Sequence, residues 1–242
     1  VEIYQSAEAV ALAASAKASE ILQAAIEKRQ QAIAVFATGR SQQQCLHHLT
    51  RRNDLDWAKI TGFHLDEYLG IAAEHPASFR HYLKTHLTSR VSMRTFYPIE
   101  GDGLLPMAIC EQYERKLRSQ PLDLCFLGIG SNGHLAFNDP AVADFDDPRW
   151  VKLVRLDAKN RQQQANTTAF KTIGTVPDYA FTLTLSAIGA IANRLCLAFG
   201  QEKSAIVQRL LTGTIEPTCP ATILRRLPQT TLLIDRAAAS SL

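Results

Sequence analysis

Residues 122–140 read LDLCFLGIGSNGHLAFNDP: an apolar run of strand length, then a glycine-rich turn, a histidine and an Asn-Asp-Pro stop. The run Leu122–Ile129 lacks polar–apolar alternation, the pattern of a strand covered on both faces of a sheet. Similar runs flank it at Gln31–Ala37 (QAIAVFA), Ala58–His64 (AKITGFH), Thr95–Pro98, Val151–Leu156 (VKLVRL), Arg194–Phe199 and Thr231–Ile234. Helical patterns lie between them, over roughly 6–29, 40–53, 78–88, 104–119 and 202–212. This alternation predicts an α/β fold with a doubly wound, mostly parallel sheet. No internal repeat, low-complexity tract or linker divides the chain, so residues 1–242 are expected to form a single domain.

With 46% hydrophobic and 20% charged residues, 12 Gly and 10 Pro, the chain has the make-up of an ordinary soluble globular protein. A net charge of +3 with scattered basic residues offers no stripe for nucleic acid. The 5 cysteines form no C-x-x-C pair and no ligand spacing, which argues for reduced thiols in the cytoplasm and against a metal site. Cys125 and Cys196 lie in apolar runs and read as small buried hydrophobes. No apolar stretch is expected to reach membrane-spanning length, so no membrane partner is expected. The Ala-rich start is interrupted at helical spacing by Glu8, Lys17 and Glu20, the mark of an amphipathic surface helix and not of a signal peptide.

In a doubly wound fold, ligands gather beyond the carboxyl ends of the strands. Four segments there carry chemistry. Thr38-Gly39-Arg40-Ser41 precedes a helix, where hydroxyls, backbone N–H groups and a guanidinium suit an anion; an N-cap with a solvated Arg is the bland reading. His64-Leu65-Asp66-Glu67-Tyr68 ends a strand with adjacent carboxylates, which repel each other and supply a base for a proton beside a carbonyl; an acidic pair at a helix start is the simpler reading. Gly128 to Gly133 forms a formal G-x-G-x-x-G, with Asp157 further on. A dinucleotide site fails because Asn138, Pro140 and Pro148 break the helix it requires. The glycines are expected to bring backbone, Gly133 included, close to a small ligand while presenting His134 for acid–base work. In Gly200-Gln201-Glu202-Lys203-Ser204, a lysine in a first helical turn opposes the dipole unless an anion sits there.

Together, L-D-E-Y at 65–68, G-I-G-S-N-G-H-L-A-F-N-D-P at 128–140 and G-x-x-K at 200–203 resemble the glucosamine-6-phosphate deaminase (isomerising) family, in order and spacing, from about Gln31 to Asp235. The resemblance implies a Rossmann-like sheet and amino-sugar metabolism without metal or redox cofactor. It implies that Asp66 moves the proton from C2 to C1 of the opened sugar. His134 would pass the O1 proton to the ring oxygen, with Asp139 as its partner where the family generally has Glu, and Asn132 where members have Asp or Asn. Thr38, Gly39 and Lys203 fall on phosphate-binding positions, and Arg40, Ser41, Glu67 and Gly133 join them as candidate substrate contacts. The implied partner is a small-molecule sugar phosphate, and the family ranges from monomers to homo-oligomers as large as hexamers.

Three departures stand out. The usual T-G-G-T-P reads Thr38-Gly39-Arg40-Ser41-Gln42. Asp139 is one methylene shorter than Glu, so reaching His134 is expected to need a backbone shift or a water. The family's Arg after an A-N pair is missing from Ala165-Asn166-Thr167-Thr168, behind an expanded Gln162-Gln163-Gln164, and Arg40 is expected to replace it. Other readings are a galactosamine-6-phosphate deaminase, a 6-phosphogluconolactonase and a non-enzymatic sugar-phosphate sensor. Tyr68 and Phe137-Asn138-Asp139-Pro140 favour the deaminase over the lactonase.

Overall fold

The computed structural model describes residues 1–157, 161, 162, 165, 170 and 172–242. Asn166, Thr167, Thr168, Gln163 and Gln164, singled out in the sequence, lie outside the described residues. The strands are β1 (Glu2–Tyr4), β2 (Ala32–Phe36), β3 (Ile60–His64), β4 (Asp66–Tyr68), β5 (Thr95–Phe96), β6 (Leu124–Gly128), β7 (Val151–Arg155), β8 (Tyr179–Leu183), β9 (Asn193–Ala198) and β10 (Thr230–Asp235). Seven of them form one sheet in the order β1-β10-β9-β6-β2-β3-β5. Every pairing in it is parallel. The α/β fold and the mostly parallel sheet expected from the sequence are both present.

β2 and β3 are buried at every residue, which their uninterrupted apolar runs require. α1 (Ala7–Arg29) starts on Ser6, whose side chain accepts a hydrogen bond from the Ala9 N–H, and carries Lys28 and Arg29 in its last turn, where the dipole favours cations. Its buried stripe Val10, Ala14, Ala18, Leu22, Ala25 packs on β2, β9, β10 and α2 (Arg40–Leu49). Burying each large side chain of this kind contributes about 1.5–3 kcal/mol. α1 corrects one expectation: it is long and apolar enough to cross a membrane, yet half of that stretch is buried inside the fold.

A second sheet, β4-β8-β7, is antiparallel and small. It corrects the place given to 151–156, which pairs with β8 and stands outside the parallel sheet. The helix expected over 78–88 is shorter: α3 (Phe79–Leu83) passes into a widened turn, Lys84–Thr88. α4 (Pro106–Arg118), α5 (Leu185–Ala190) and α6 (Ser204–Thr212) complete the helices used below. Chain order runs outward from β2 to β3 and β5 on one side, and from β6 to β9 and β10 on the other. The switch point therefore lies between the carboxyl ends of β2 and β6, the usual crevice for a ligand.

Candidate active site

Thr38–Ser41 leaves β2 at this crevice. Gly39 has φ +98°, a conformation open to glycine, and it starts α2 with no side-chain hydrogen bond on the helix end. The Gln42 N–H donates to the Gly39 carbonyl at 3.0 Å, and the uncapped start of α2 has the form that suits an anion. Gln42 fixes the turn, donating from Nε2 to Ser41 Oγ at 3.0 Å and to the Leu127 carbonyl at 3.1 Å on β6. From across the switch point, Lys203 Nζ donates to the Ile129 carbonyl at 2.7 Å. Lys203 stands in the turn just before α6, not inside its first turn as the sequence suggested. Burial lowers the pKa of its ammonium, and the Arg40 charge pushes in the same direction. The Arg40 charge thus reaches Lys203, an arrangement that an anion between them would relieve.

The histidine turn follows β6. The Gly130 N–H donates to the His134 carbonyl, and the Gly133 N–H to the Gly130 carbonyl, both at 3.0 Å. A Cβ on Gly130 would lie 2.2–2.4 Å from three imidazole atoms of His134, so the ring rests directly on the glycine. Gly133 has φ +87°, and a Cβ there would meet Cys219 Sγ at 2.7 Å. Its carbonyl accepts from the Ala221 N–H at 2.7 Å. Gly133 was expected to approach a ligand; its N–H instead closes the turn on Gly130, and its carbonyl docks the turn onto Ala221.

Asp139 Oδ1 lies 3.0 Å from His134 Nδ1. Asn132 Nδ2 donates to the same Asp139 oxygen at 2.8 Å, and Asn132 Oδ1 accepts from the His134 N–H at 3.1 Å. The short carboxylate reaches the ring directly because residues 135–138 fold back. Ala136 has φ +51°, and the Asn138 N–H donates to the Leu135 carbonyl at 3.1 Å. The shorter carboxylate therefore comes within ion-pair distance of the ring with no water needed between them. The His134 side chain is 21% exposed, and Asp139 stands at ion-pair distance from Nδ1 without hydrogen-bond alignment, on the opposite side of the ring from Nε2.

Asp66 lies beside β2's end, where the Leu65 N–H donates to the Phe36 carbonyl at 3.1 Å. It is 7% exposed. Burial, reinforced by the Glu67 charge, raises its pKa well above the ordinary carboxylate value, which strengthens it as a base. Its ladder partner is Thr182 on β8. Thr182 Oγ1 also accepts from the Phe137 N–H at 3.1 Å, and Asn138 Nδ2 donates to the Leu183 carbonyl at 2.8 Å. β8 thus spaces Asp66 against the histidine turn. The sequence reading missed Thr182 and β8, although YAFTL is apolar and β-prone.

Glu67 does not face the crevice as a substrate contact. It is 0% exposed, and its oxygens accept from the N–H groups of Tyr68, Phe79 and Arg80 and from Ser78 Oγ, at 2.8–3.0 Å. Tyr68 packs against Phe79, Phe137 and Phe170, with ring centroids 5.1, 5.2 and 5.4 Å away. Arg161, which precedes the Gln162-Gln163-Gln164 run, pairs with Asp178 at 2.6 Å and donates to the Ile173 and Val176 carbonyls. Among the described residues no cluster of three or more His, Cys, Asp or Glu is placed to hold a metal ion.

Residues 5–233 match the family model described as glucosamine-6-phosphate isomerases/6-phosphogluconolactonase. The glucosamine-6-phosphate deaminase of Listeria welshimeri is 32% identical over 231 residues, 96% of each chain. That of Lactobacillus acidophilus is 30% identical over 94% of this chain and 92% of its own. A solved monomeric glucosamine-6-phosphate deaminase superposes with TM-score 0.89 at 28% identity, covering 100% of both chains. The 6-phosphogluconolactonase of Trypanosoma brucei, at 19% identity and TM-score 0.80 over 100% of this chain and 97% of its own, shares the fold. The protein belongs to the glucosamine-6-phosphate isomerase/6-phosphogluconolactonase family.

Proposed function

We propose that the chain is a glucosamine-6-phosphate deaminase, converting glucosamine 6-phosphate and water into fructose 6-phosphate and ammonia. One observation carries this reading: a buried carboxylate of raised pKa, Asp66, shares the β8 ladder with the turn that fixes the His134–Asp139 pair. The full-length likeness to deaminases supports it.

The phosphate binds at the first turn of α2, against Thr38, Gly39 and Ser41, with Lys203 and Arg40 as its cations. His134, oriented by Asp139 and Asn132, passes the O1 proton to the ring oxygen and opens the pyranose. Asp66 then removes the C2 proton and delivers it to C1. Removal of the C2 proton gives an enolamine, its return at C1 gives an imine at C2, and water adds there and expels ammonia. Positioned acid–base groups of this kind contribute about 10²–10⁴-fold each. The setting is the cytoplasm, with a free sugar phosphate as partner and neither nucleic acid nor membrane; the five buried free thiols suit a reducing compartment.

The test is ammonia release from glucosamine 6-phosphate and from galactosamine 6-phosphate, run beside hydrolysis of 6-phosphogluconolactone. Faster release from the glucosamine epimer is expected. Lactone hydrolysis without ammonia would overturn the reading, and preference for the other epimer would correct the substrate.

A further inference from the structure

The Glu67 carboxylate sits between two parts of the site that share no sequence neighbourhood. On one side it follows Asp66 in β4. On the other it receives Ser78 Oγ at 2.8 Å, the Phe79 N–H at 3.0 Å and the Arg80 N–H at 2.9 Å, the start of α3. Arg80 closes the arrangement: its Nε lies 3.4 Å from Glu67, its Nη1 2.9 Å from Asp102, and its Nη2 donates to the Ile71 carbonyl at 2.7 Å. One turn further on, Tyr82 Oη donates to the Gly39 carbonyl at 2.9 Å. A fully buried anion is costly unless donors surround it, and four donors with a guanidinium make this one a rigid node. The path from Asp66 to Gly39 is continuous: carboxylate, helix start, phenol, phosphate turn.

We propose that Glu67 is a positioning residue that joins the proton-transfer carboxylate to the phosphate turn through the segment Ser78–Tyr82. The proposal rests on the deaminase reading for its catalytic consequence and on geometry alone for the link. Phosphate binding presses on the turn that Tyr82 holds, and the strain or relief reaches Asp66 through Glu67. The carboxylate that moves the C2 proton is thereby set in register with the anchored end of the sugar.

The experiment is a double-mutant cycle on inorganic phosphate affinity, measured by calorimetry with the full chain, alongside KM and kcat for glucosamine 6-phosphate. Tyr82→Phe is expected to weaken phosphate about three- to tenfold, the scale of one hydrogen bond, with the kinetic loss carried by KM. Glu67→Gln, remote from phosphate, is expected to weaken it at least as much and to lower kcat as well. The double variant should then bind phosphate within twofold of Glu67→Gln alone, because the link is already cut. Two losses that multiply, or a Glu67→Gln variant that binds phosphate normally, would overturn the proposal. If Glu67→Gln does not fold, Ser78→Ala takes its place in the cycle with the same criteria. Phosphate coupling without ammonia release by the unaltered protein would sink the reaction and leave the link standing. No phosphate binding at all would sink both.

Discussion

The two ends of the crevice are built on opposite plans. At the proposed proton-transfer end the groups are held in place: the imidazole rests on Gly130 beside Asp139, Asn132 bonds to Asp139 and to the His134 backbone, and β8 ties the turn to Asp66. At the proposed phosphate end, Arg40 is exposed, α2 begins with no side-chain cap, and Lys203 has a half-buried ammonium whose pKa is lowered. Groups that move protons must be oriented before the sugar arrives, since misplacement costs rate directly. Groups that bind a dianion can wait partly unsatisfied, because the ligand itself completes them.

The largest effect expected from breaking the first end is Asp66→Asn. Turnover should fall by about 10²–10⁴-fold. Folding should move the other way. The raised pKa means the fold favours the protonated acid, so ionisation above that pKa costs stability. The Asn variant should melt higher, by about 2–4 °C, at pH values above the raised pKa. The gain should vanish below the ordinary carboxylate value of 3.8, where Asp66 is neutral in both folded and unfolded chains. For the same reason the unaltered enzyme should lose kcat/KM on the acid side as Asp66 takes up its proton. A variant both slow and less stable at neutral pH would mean Asp66 is held for structure.

Gly130→Ala comes next. The added methyl occupies the imidazole's place, so the ring must turn away from its carboxylate partner. A loss on the order of 10²-fold in kcat is expected, with phosphate affinity unchanged in a calorimetric titration. Wild-type kcat in this variant would show that the ring need not lie on the glycine. Asp139→Asn should cost less, about tenfold or somewhat more, because Gly130 still supports the ring while only its carboxylate neighbour is lost. The fall should be sought in single-turnover ring opening; a loss confined to KM would contradict the role.

The contrast also explains what was legible in the sequence. β2, β3 and β6 could be read because each is apolar on both faces. β4 could not: Asp-Glu-Tyr is a poor strand by composition, and it becomes one only when β8 supplies the ladder and α3 supplies donors to Glu67. Asp66, His134 and Asp139 were visible because their chemistry is written in adjacent residues. Thr182, Ser78 and Tyr82 were not, because each acts on a partner distant in the chain: Phe137, 45 residues away, Glu67, 11 away, and Gly39, 43 away. Glu67 itself was visible and misread, since a paired carboxylate looks the same whether it faces a ligand or a helix start.

Arg40 tests the other end and should give the smallest effect. Its charge repels that of Lys203, and Arg161, ahead of the glutamine run, is held by Asp178 and two carbonyls. If Arg40 supplies the second cation for phosphate, Arg40→Ala should raise KM for the sugar phosphate several-fold, up to about tenfold, with kcat nearly unchanged, since the site then loses one charge-assisted bond of about 1.5–3 kcal/mol, part of which salt and water offset. Added salt sharpens the comparison. Screening weakens an exposed cation more than a buried one, so the gap between Arg40→Ala and the unaltered enzyme should narrow as ionic strength rises. Lys203, half-buried and bonded to the Ile129 carbonyl, should keep more of its contribution. An unchanged KM in Arg40→Ala at low salt would remove Arg40 from the phosphate site and leave Lys203 and the α2 turn to hold it.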